Sequence, residues 1–298
     1  MPTAYLVGLK VSADGADELR DGVVSRARSK VDEGIHALLP HEGVLTVTVC
    51  LDRGRAAPVL WWFLEVADNV ASTCQDPAGA VRESPLLAGD PGTLLEEAAP
   101  LVFGPGGRDG PVMVHAINPE RPRGYERSSH DRGETGVCPD PEPATDRRPM
   151  GTPTVLVADE GPAAAPEVYV VTLDLRGGPA TWFMRGLTRL MGATRGTRVE
   201  RQFEEWSRPI IEDEDMWTET GFFDRAEPSS DRPDRIRYWM ECDSLEGAWQ
   251  GFVESRSLLA RVSEVVLGWV LGRPERVLTV EGFTTDCETL VHAVSPER

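Results

Sequence analysis

The peptide VHAINPER occupies residues 114–121, and VHAVSPER occupies residues 291–298. Six of the eight positions are identical, across an offset of 177 residues. A chain that carries one peptide twice at that separation invites a search for a longer correspondence, and one exists. YLVGLKV at 5–11 matches YVVTLDL at 169–175, each alternating apolar residues as a half-buried strand does. VLTVTVCLDR at 44–53 matches MWTETGFFDR at 216–225, so that Thr46, Thr48, Asp52 and Arg53 recur as Thr218, Thr220, Asp224 and Arg225. WFLE at 62–65 matches YWME at 238–241. The offsets rise in order from 164 through 172 and 176 to 177, as small insertions in the second copy would make them.

Helical segments fall between these strands. Residues 14–39 offer Asp14 or Asp17 as N-cap and apolar residues near helical spacing. Residues 178–206 are the counterpart, and a further helix is expected over 244–272. The first-copy equivalent of that last helix, 69–103, carries Pro77, Pro85, Pro91 and Pro100, which predict a short or split helix. Each copy thus reads strand–helix–strand–strand–helix–strand. The expected organisation is a first ferredoxin-like repeat over 1–123, a linker over 124–166 and a second repeat over 167–298. The linker holds seven prolines and one aromatic residue, a composition that predicts an exposed tether without a core. Within it, TVLVA at 154–158 has the makings of an extra edge strand.

The helix residues VDEGIHALLPHEGV, the WFLE strand followed by VAD, and the terminal VHAINPERP peptide resemble an uncharacterised family of short, acidic, single-domain proteins from halophilic archaea. The likeness covers residues 1–123 well and 167–298 more loosely, with Ser295 standing where that family has Asn. It implies a ferredoxin-like fold of the dimeric α+β barrel type and supplies no activity.

Composition bounds the function. The chain has 298 residues, 49 acidic against 31 basic, and a net charge of −18; only Lys10 and Lys30 are lysine. Such a surface suits concentrated salt, where screening within about 3 Å suppresses self-repulsion. The same charge excludes nucleic-acid and anionic-lipid partners, because phosphate contacts need clustered positive charge. No apolar run reaches membrane-spanning length, and the N-terminus lacks a basic-then-apolar leader, so a cytoplasmic protein is expected. Five cysteines without CxxC spacing argue against a disulfide framework or a zinc ribbon.

Strand alternation sorts the side chains. Tyr5, Val7, Leu9 and Val11, with Leu45, Val47, Val49 and Leu51, form an apolar set beneath the helices. The opposite face carries Thr46, Thr48, Trp61, Phe63 and Glu65 with Met113, His115 and Ile117. In the second copy it carries Thr218, Thr220, Arg237, Trp239 and Glu241 with Leu290, His292 and Val294. A face this aromatic is not left wet. The two copies are therefore expected to pack sheet against sheet, making within one chain the barrel that two shorter chains would make, as a monomeric pseudo-dimer.

His115, His292, Glu65 and Glu241 form the candidate catalytic set. Histidine titrates near neutrality and a carboxylate fixes its tautomer, which suits proton transfer to or from a small molecule. The competing reading is that each histidine merely satisfies a carboxylate at the end of its strand. Thr46, Thr48, Thr218, Thr220, Trp61, Phe63 and Trp239 are the candidate ligand-binding residues, and alternatively ordinary strand and core residues. No metal and no cofactor is expected, and the expected partner is a small-molecule ligand. GPGG at 104–107 lacks the strand-before, helix-after setting of a phosphate loop, and EDED at 212–215 lacks the ligand spacing of a calcium loop. The function expected is a small-molecule-binding protein or cofactor-free barrel enzyme; the alternative is a scaffold whose interface is filled with side chains.

Overall fold

A computed structural model describes residues 3–34, 37–39, 43–53, 57–67, 76–117, 154–158, 167–194, 197–213, 216–226, 232–242, 245–255, 257–271 and 287–295. Ten strands are described: β1 (Thr3–Lys10), β2 (Val44–Asp52), β3 (Val59–Val66), β4 (Leu101–Phe103), β5 (Val112–Ile117), β6 (Thr154–Val157), β7 (Glu167–Asp174), β8 (Met216–Asp224), β9 (Arg235–Cys242) and β10 (Cys287–Val294). Helices α1 (Ala16–Val31), α2 (Pro77–Arg82) and α3 (Asp90–Thr93) belong to the first half. Helices α4 (Pro179–Thr194), α5 (Arg198–Asp213), α6 (Leu245–Glu254) and α7 (Leu258–Val270) belong to the second.

The strands make two antiparallel sheets, ordered β4-β1-β3-β2-β10-β6 and β5-β8-β9-β7. Strands β1 to β4 follow the ferredoxin-like order, and the VHA strands do not stay with their own halves. β5 pairs with β8 of the second sheet, and β10 pairs with β2 of the first. The sequence reading made these peptides the fourth strand of each repeat. They are instead exchanged strands, and in the first half β4, paired with β1, is the fourth strand. The exchange ties each half to the other by main-chain hydrogen bonds, which no sequence pattern within one half can encode. TVLVA does pair at an edge, as β6 against β10.

β2 and β3 are buried at nearly every position, because helices cover one face and the other sheet covers the second. Beneath α1 and its neighbours lie Tyr5, Val7, Leu9, Val47, Val49, Leu51 and Trp62. The cluster between the sheets contains Leu6, Trp61, Phe63, Phe103, Val170, Phe222 and Trp239, so the two helix-free faces do close on each other as an α+β barrel. Gly8 permits this packing: a Cβ there would stand 2.4 Å from the Trp61 ring.

Two bulges recur at matching places. The β5–β8 register shifts between Val112 and Val114, and the β10–β2 register shifts between Thr289 and Val291, the same position of each VHA strand. A bulge adds one residue and reverses the alternation beyond it. Val112 therefore joins the seam between the sheets, while Met113 and Leu290 turn to the helix side, opposite to the face that strict alternation assigns them.

The helices depart from the sequence reading in three places. Neither Asp14 nor Asp17 caps α1; its N-cap is Gly15, with no side-chain bond, and Asp17 instead accepts from Arg53 at 2.6 Å. Residues 178–206 and 244–272 do not form single helices but the pairs α4–α5 and α6–α7. The proline-broken stretch is split as expected, into α2, a short 3-10 turn and α3, with Pro at the start of each.

Candidate functional site

The seam between the sheets is built from matched positions. Phe63 of β3 and Trp239 of β9, equivalent in WFLE and YWME, stack with centroids 3.7 Å apart and planes 3° from parallel. Two residues earlier, Arg237 lies over the Trp61 ring at 4.5 Å, again one equivalent position upon the other. Each member of this second pair also donates to the aspartate ending its neighbouring strand. Trp61 Nε1 donates to Asp52 Oδ2 at 3.2 Å, and Arg237 Nε and Nη2 donate to Asp224 Oδ2 at 3.0 and 2.5 Å. Arg237 further donates to Thr172 Oγ1 at 2.9 Å, and Arg232 donates to the other oxygen of Asp224 at 2.8 Å. Phe103 and Phe222 complete this aromatic end of the seam.

The other end holds the two histidines, each within a group that spans both sheets. His292, carried on β10 into the first sheet, places Nδ1 2.9 Å from Thr48 Oγ1 and Nε2 3.2 Å from Glu241 Oε1 of the second sheet. His115, carried on β5 into the second sheet, places Nδ1 2.8 Å from Thr220 Oγ1 and Nε2 3.9 Å from Glu65 Oε1 of the first. Thr46 donates to Glu65 Oε2 at 2.9 Å, and Thr218 stands opposite Glu241 in the equivalent register. Strand exchange is what creates these groups. It sets each histidine beside a threonine of the opposite half and facing a glutamate of its own half.

The chemistry follows from the donor inventory. A threonine hydroxyl both donates and accepts, so the bond to Nδ1 survives whichever ring nitrogen carries the proton. Nε2 is then able to hold or release a proton toward the carboxylate without loss of that bond. The two groups differ. His292 and Glu241 are completely buried and within hydrogen-bond range, whereas the His115 side chain keeps 9% of its surface accessible and stands beyond that range from Glu65. All four threonines are completely buried. Trp239 Nε1, also buried, meets no hydrogen-bond acceptor, which is an uncommon state for an indole in a packed interior.

All eleven residues singled out in the sequence thus lie in one seam: the two histidines, two glutamates and four threonines at one end, and Trp61, Phe63 and Trp239 stacked along it. Sequence reasoning placed Arg237 on this face and gave it no role. A lone arginine among aromatic residues, with the Asp-Arg pair at 224–225 on the neighbouring strand, was the available signal. Thr289, which donates to the Val168 carbonyl at 2.8 Å and closes the barrel between β10 and β7, is legible only once the bulge is known. Among the described residues, no three histidine, cysteine or carboxylate side chains gather as metal ligands would. His36, His41 and His130 lie outside the described residues, as does most of the 124–166 linker.

Two titratable groups sit away from the histidines. The thiol of Cys287 is held well above the usual range by its hydrogen bond to Cys50 and by burial, so it is not a thiolate nucleophile near neutrality. Glu219 of β8 stands where the first half has the core residue Val47, between Ala116 of β5 and Met240 of β9 on the helix side. Part of its surface remains accessible, yet its carboxyl is enclosed, and burial pushes it up to about 7 from 4.5. A carboxyl raised on folding favours the protonated folded state. Stability is therefore greatest below the unfolded value and falls as pH rises through the folded one. Replacing Glu219 with Gln is expected to leave denaturant midpoints nearly unchanged at about pH 4 and to raise stability by about 2–3 kcal/mol at about pH 8. An equal effect at both pH values would show that the carboxylate is not the cause.

No family model matches the chain, and no curated protein does. Several solved structures match along its whole length. A Fusobacterium nucleatum protein named "Putative monooxygenase" is 8% identical, with 99% of this chain and 94% of that one covered and a TM-score of 0.44. A protein of the same description from Lactobacillus acidophilus is 8% identical, with 99% and 97% covered and a TM-score of 0.39. A chlorite dismutase from Candidatus Nitrospira defluvii is 12% identical, with 98% and 91% covered and a TM-score of 0.29. These neighbours are dimeric α+β barrel proteins, and what they act on is theirs alone.

Proposed function

We propose that the chain is a small-molecule-binding protein or cofactor-free barrel enzyme, descended from a tandem duplication, whose working site is the His115–Glu65 group. The observation that carries this reading is the inequality of two groups that the fold makes equivalent. His292 and Glu241 are closed upon each other at 3.2 Å with no accessible surface, while His115 and Glu65 stand 3.9 Å apart with His115 partly reachable. Glu65 is fully buried and held by Thr46 at 2.9 Å, so its carboxylate is fixed in place facing the one histidine of the two that keeps accessible surface. In this role His115 Nε2 transfers a proton to or from the ligand. Thr220 holds the ring, Glu65 sets the charge and Thr46 orients Glu65. The Trp239 N–H offers a donor to a ligand oxygen. His292, Glu241, Thr48 and Thr218 act as the structural counterpart. The acidic composition fits a cytoplasmic protein of a high-salt cell.

A scaffold without a ligand is the second reading, favoured by the Phe63–Trp239 stack and the Arg237–Trp61 contact, which fill the middle of the seam with side chains. Native mass spectrometry of protein purified in high salt separates the two. The expected spectrum of the wild type shows a retained organic molecule that is lost in both His115→Gln and Glu65→Gln and kept in Thr218→Val. Wild-type protein carrying nothing, or retention of the ligand by both substituted proteins, would overturn the binding reading and leave the scaffold.

A further inference from the structure

The two halves share a fold but differ in what their helices present to solvent. In the first half the outward side of α1 is Asp17, Glu18, Asp21, Ser25, Arg28 and Ser29, and Val31 is the only large apolar residue exposed there among the described residues. The second half exposes Trp182 (79%), Leu190 and Phe183 on α4, and Leu258 (81%), Val265 (72%) and Trp269 on α7. With Val262, the α7 residues recur at spacings of four, three and four, one continuous helical stripe. Phe183 and Trp269 meet edge to face at 5.5 Å, which joins the two helices into one surface. Gly186 and Gly268 lie on the same helices with open space where a Cβ would stand, leaving shallow places in an otherwise bulky surface.

We infer that this α4–α7 face is the interface of a homodimer, with a second copy of this chain as its occupant. From about 150–250 Å² for each aromatic side chain and less for each aliphatic one, the exposed apolar area is on the order of 700 Å². That exceeds the roughly 300–600 Å² patch of an ordinary monomer and approaches the roughly 800 Å² that each partner contributes to a stable complex. Charge favours self-association over a charged partner. α4 bears Arg185 and Arg189 and no acidic residue, and Arg185 is committed to Asp234 at 2.7 Å. On α7, Arg261 and Glu264 neutralise each other at 3.0 Å. In a chain of net charge −18, α4 and α7 therefore present no uncompensated acid and, among the described residues, Arg189 as their one uncommitted cation. Two copies approach there without the acidic repulsion of the remaining surface, and a single arginine is no cluster for an anionic membrane. Because the face belongs to one half only, the interface is isologous and the assembly closes at two copies. The barrel pseudo-dimer within the chain is a separate association.

Sedimentation velocity of the full chain over a dilution series from micromolar to nanomolar is the test. The expected result is a species of twice 32.6 kDa that dissociates on dilution and associates more tightly as salt increases, since salt screens the net charge and strengthens apolar burial. The Leu258→Glu, Val265→Glu double variant is expected to sediment as a monomer with unchanged circular dichroism. Should that variant misfold, hydrogen exchange on the wild type decides: amides of α4 and α7 lose protection on dilution while those of α1 do not. A wild type that is monomeric throughout, a dimer that persists in the folded double variant, uniform protection changes, or a monomer that instead pellets with anionic lipid vesicles would each overturn the interface.

Discussion

Arg237→Met is expected to lower the unfolding free energy by about 3–5 kcal/mol, a large share of the roughly 5–15 kcal/mol that holds a domain folded. Arg237 is one of the largest fully buried side chains, and it answers three needs at once. Its guanidinium covers the Trp61 ring, donates to Thr172 and neutralises Asp224, itself 3% exposed. Methionine fills much of the volume but leaves the Asp224 carboxylate facing Arg232 alone within a poorly solvated seam. The cost comes mainly from that stranded charge, so adding Asp224→Asn should recover about 1–2 kcal/mol of it. Denaturant midpoints of the two single variants and the double variant give the coupling. Strict additivity would mean that the pair is not the source of the stability.

His292→Gln ranks second, at about 3 kcal/mol, whereas His115→Gln should cost no more than about half as much. Both replace an imidazole on an exchanged strand beside a threonine. His292 has both ring nitrogens engaged at short range, by Thr48 and by Glu241 across the seam, and glutamine is too short and too flexible to hold both partners. At His115 the second bond is not drawn tight at 3.9 Å, and some surface is accessible to water. Equal losses at the two positions would remove the distinction between a structural group and a working one. A larger loss at His115 would reverse the assignment. Ligand retention and stability therefore separate the two histidines along independent measurements.

The membership of the seam was legible in the linear order of residues. Alternation along VLTVTVCLD and VLWWFLEV put Thr46, Thr48, Trp61, Phe63 and Glu65 on one face, and the matching peptides repeated the pattern through Thr218, Thr220, Trp239 and Glu241. Alternation is a local consequence of the extended backbone, so it survives without knowledge of neighbours. It failed where a bulge intervened. Met113 and Leu290 lie on the helix side because one extra residue resets the phase, and a bulge is a feature of pairing rather than of sequence. Helix limits failed as well: α4 ends at Thr194 and α6 at Glu254 with no proline between either and the helix that follows, so the strongest sequence signal for a break is missing.

By itself, then, the sequence determined that four peptides recur in the same order along the chain, and most of the side chains that share the helix-free faces, histidine and glutamate among them. Tertiary structure alone decided which histidine meets which glutamate. β5 and β10 cross to the opposite sheets, so the pairs are His115 with Glu65 and His292 with Glu241, at 3.9 and 3.2 Å. Repetition fixes chemical type at each position, but two equivalent strands are interchangeable by pattern. Only the closed barrel, in which each edge must be paired by one of them, removes that choice.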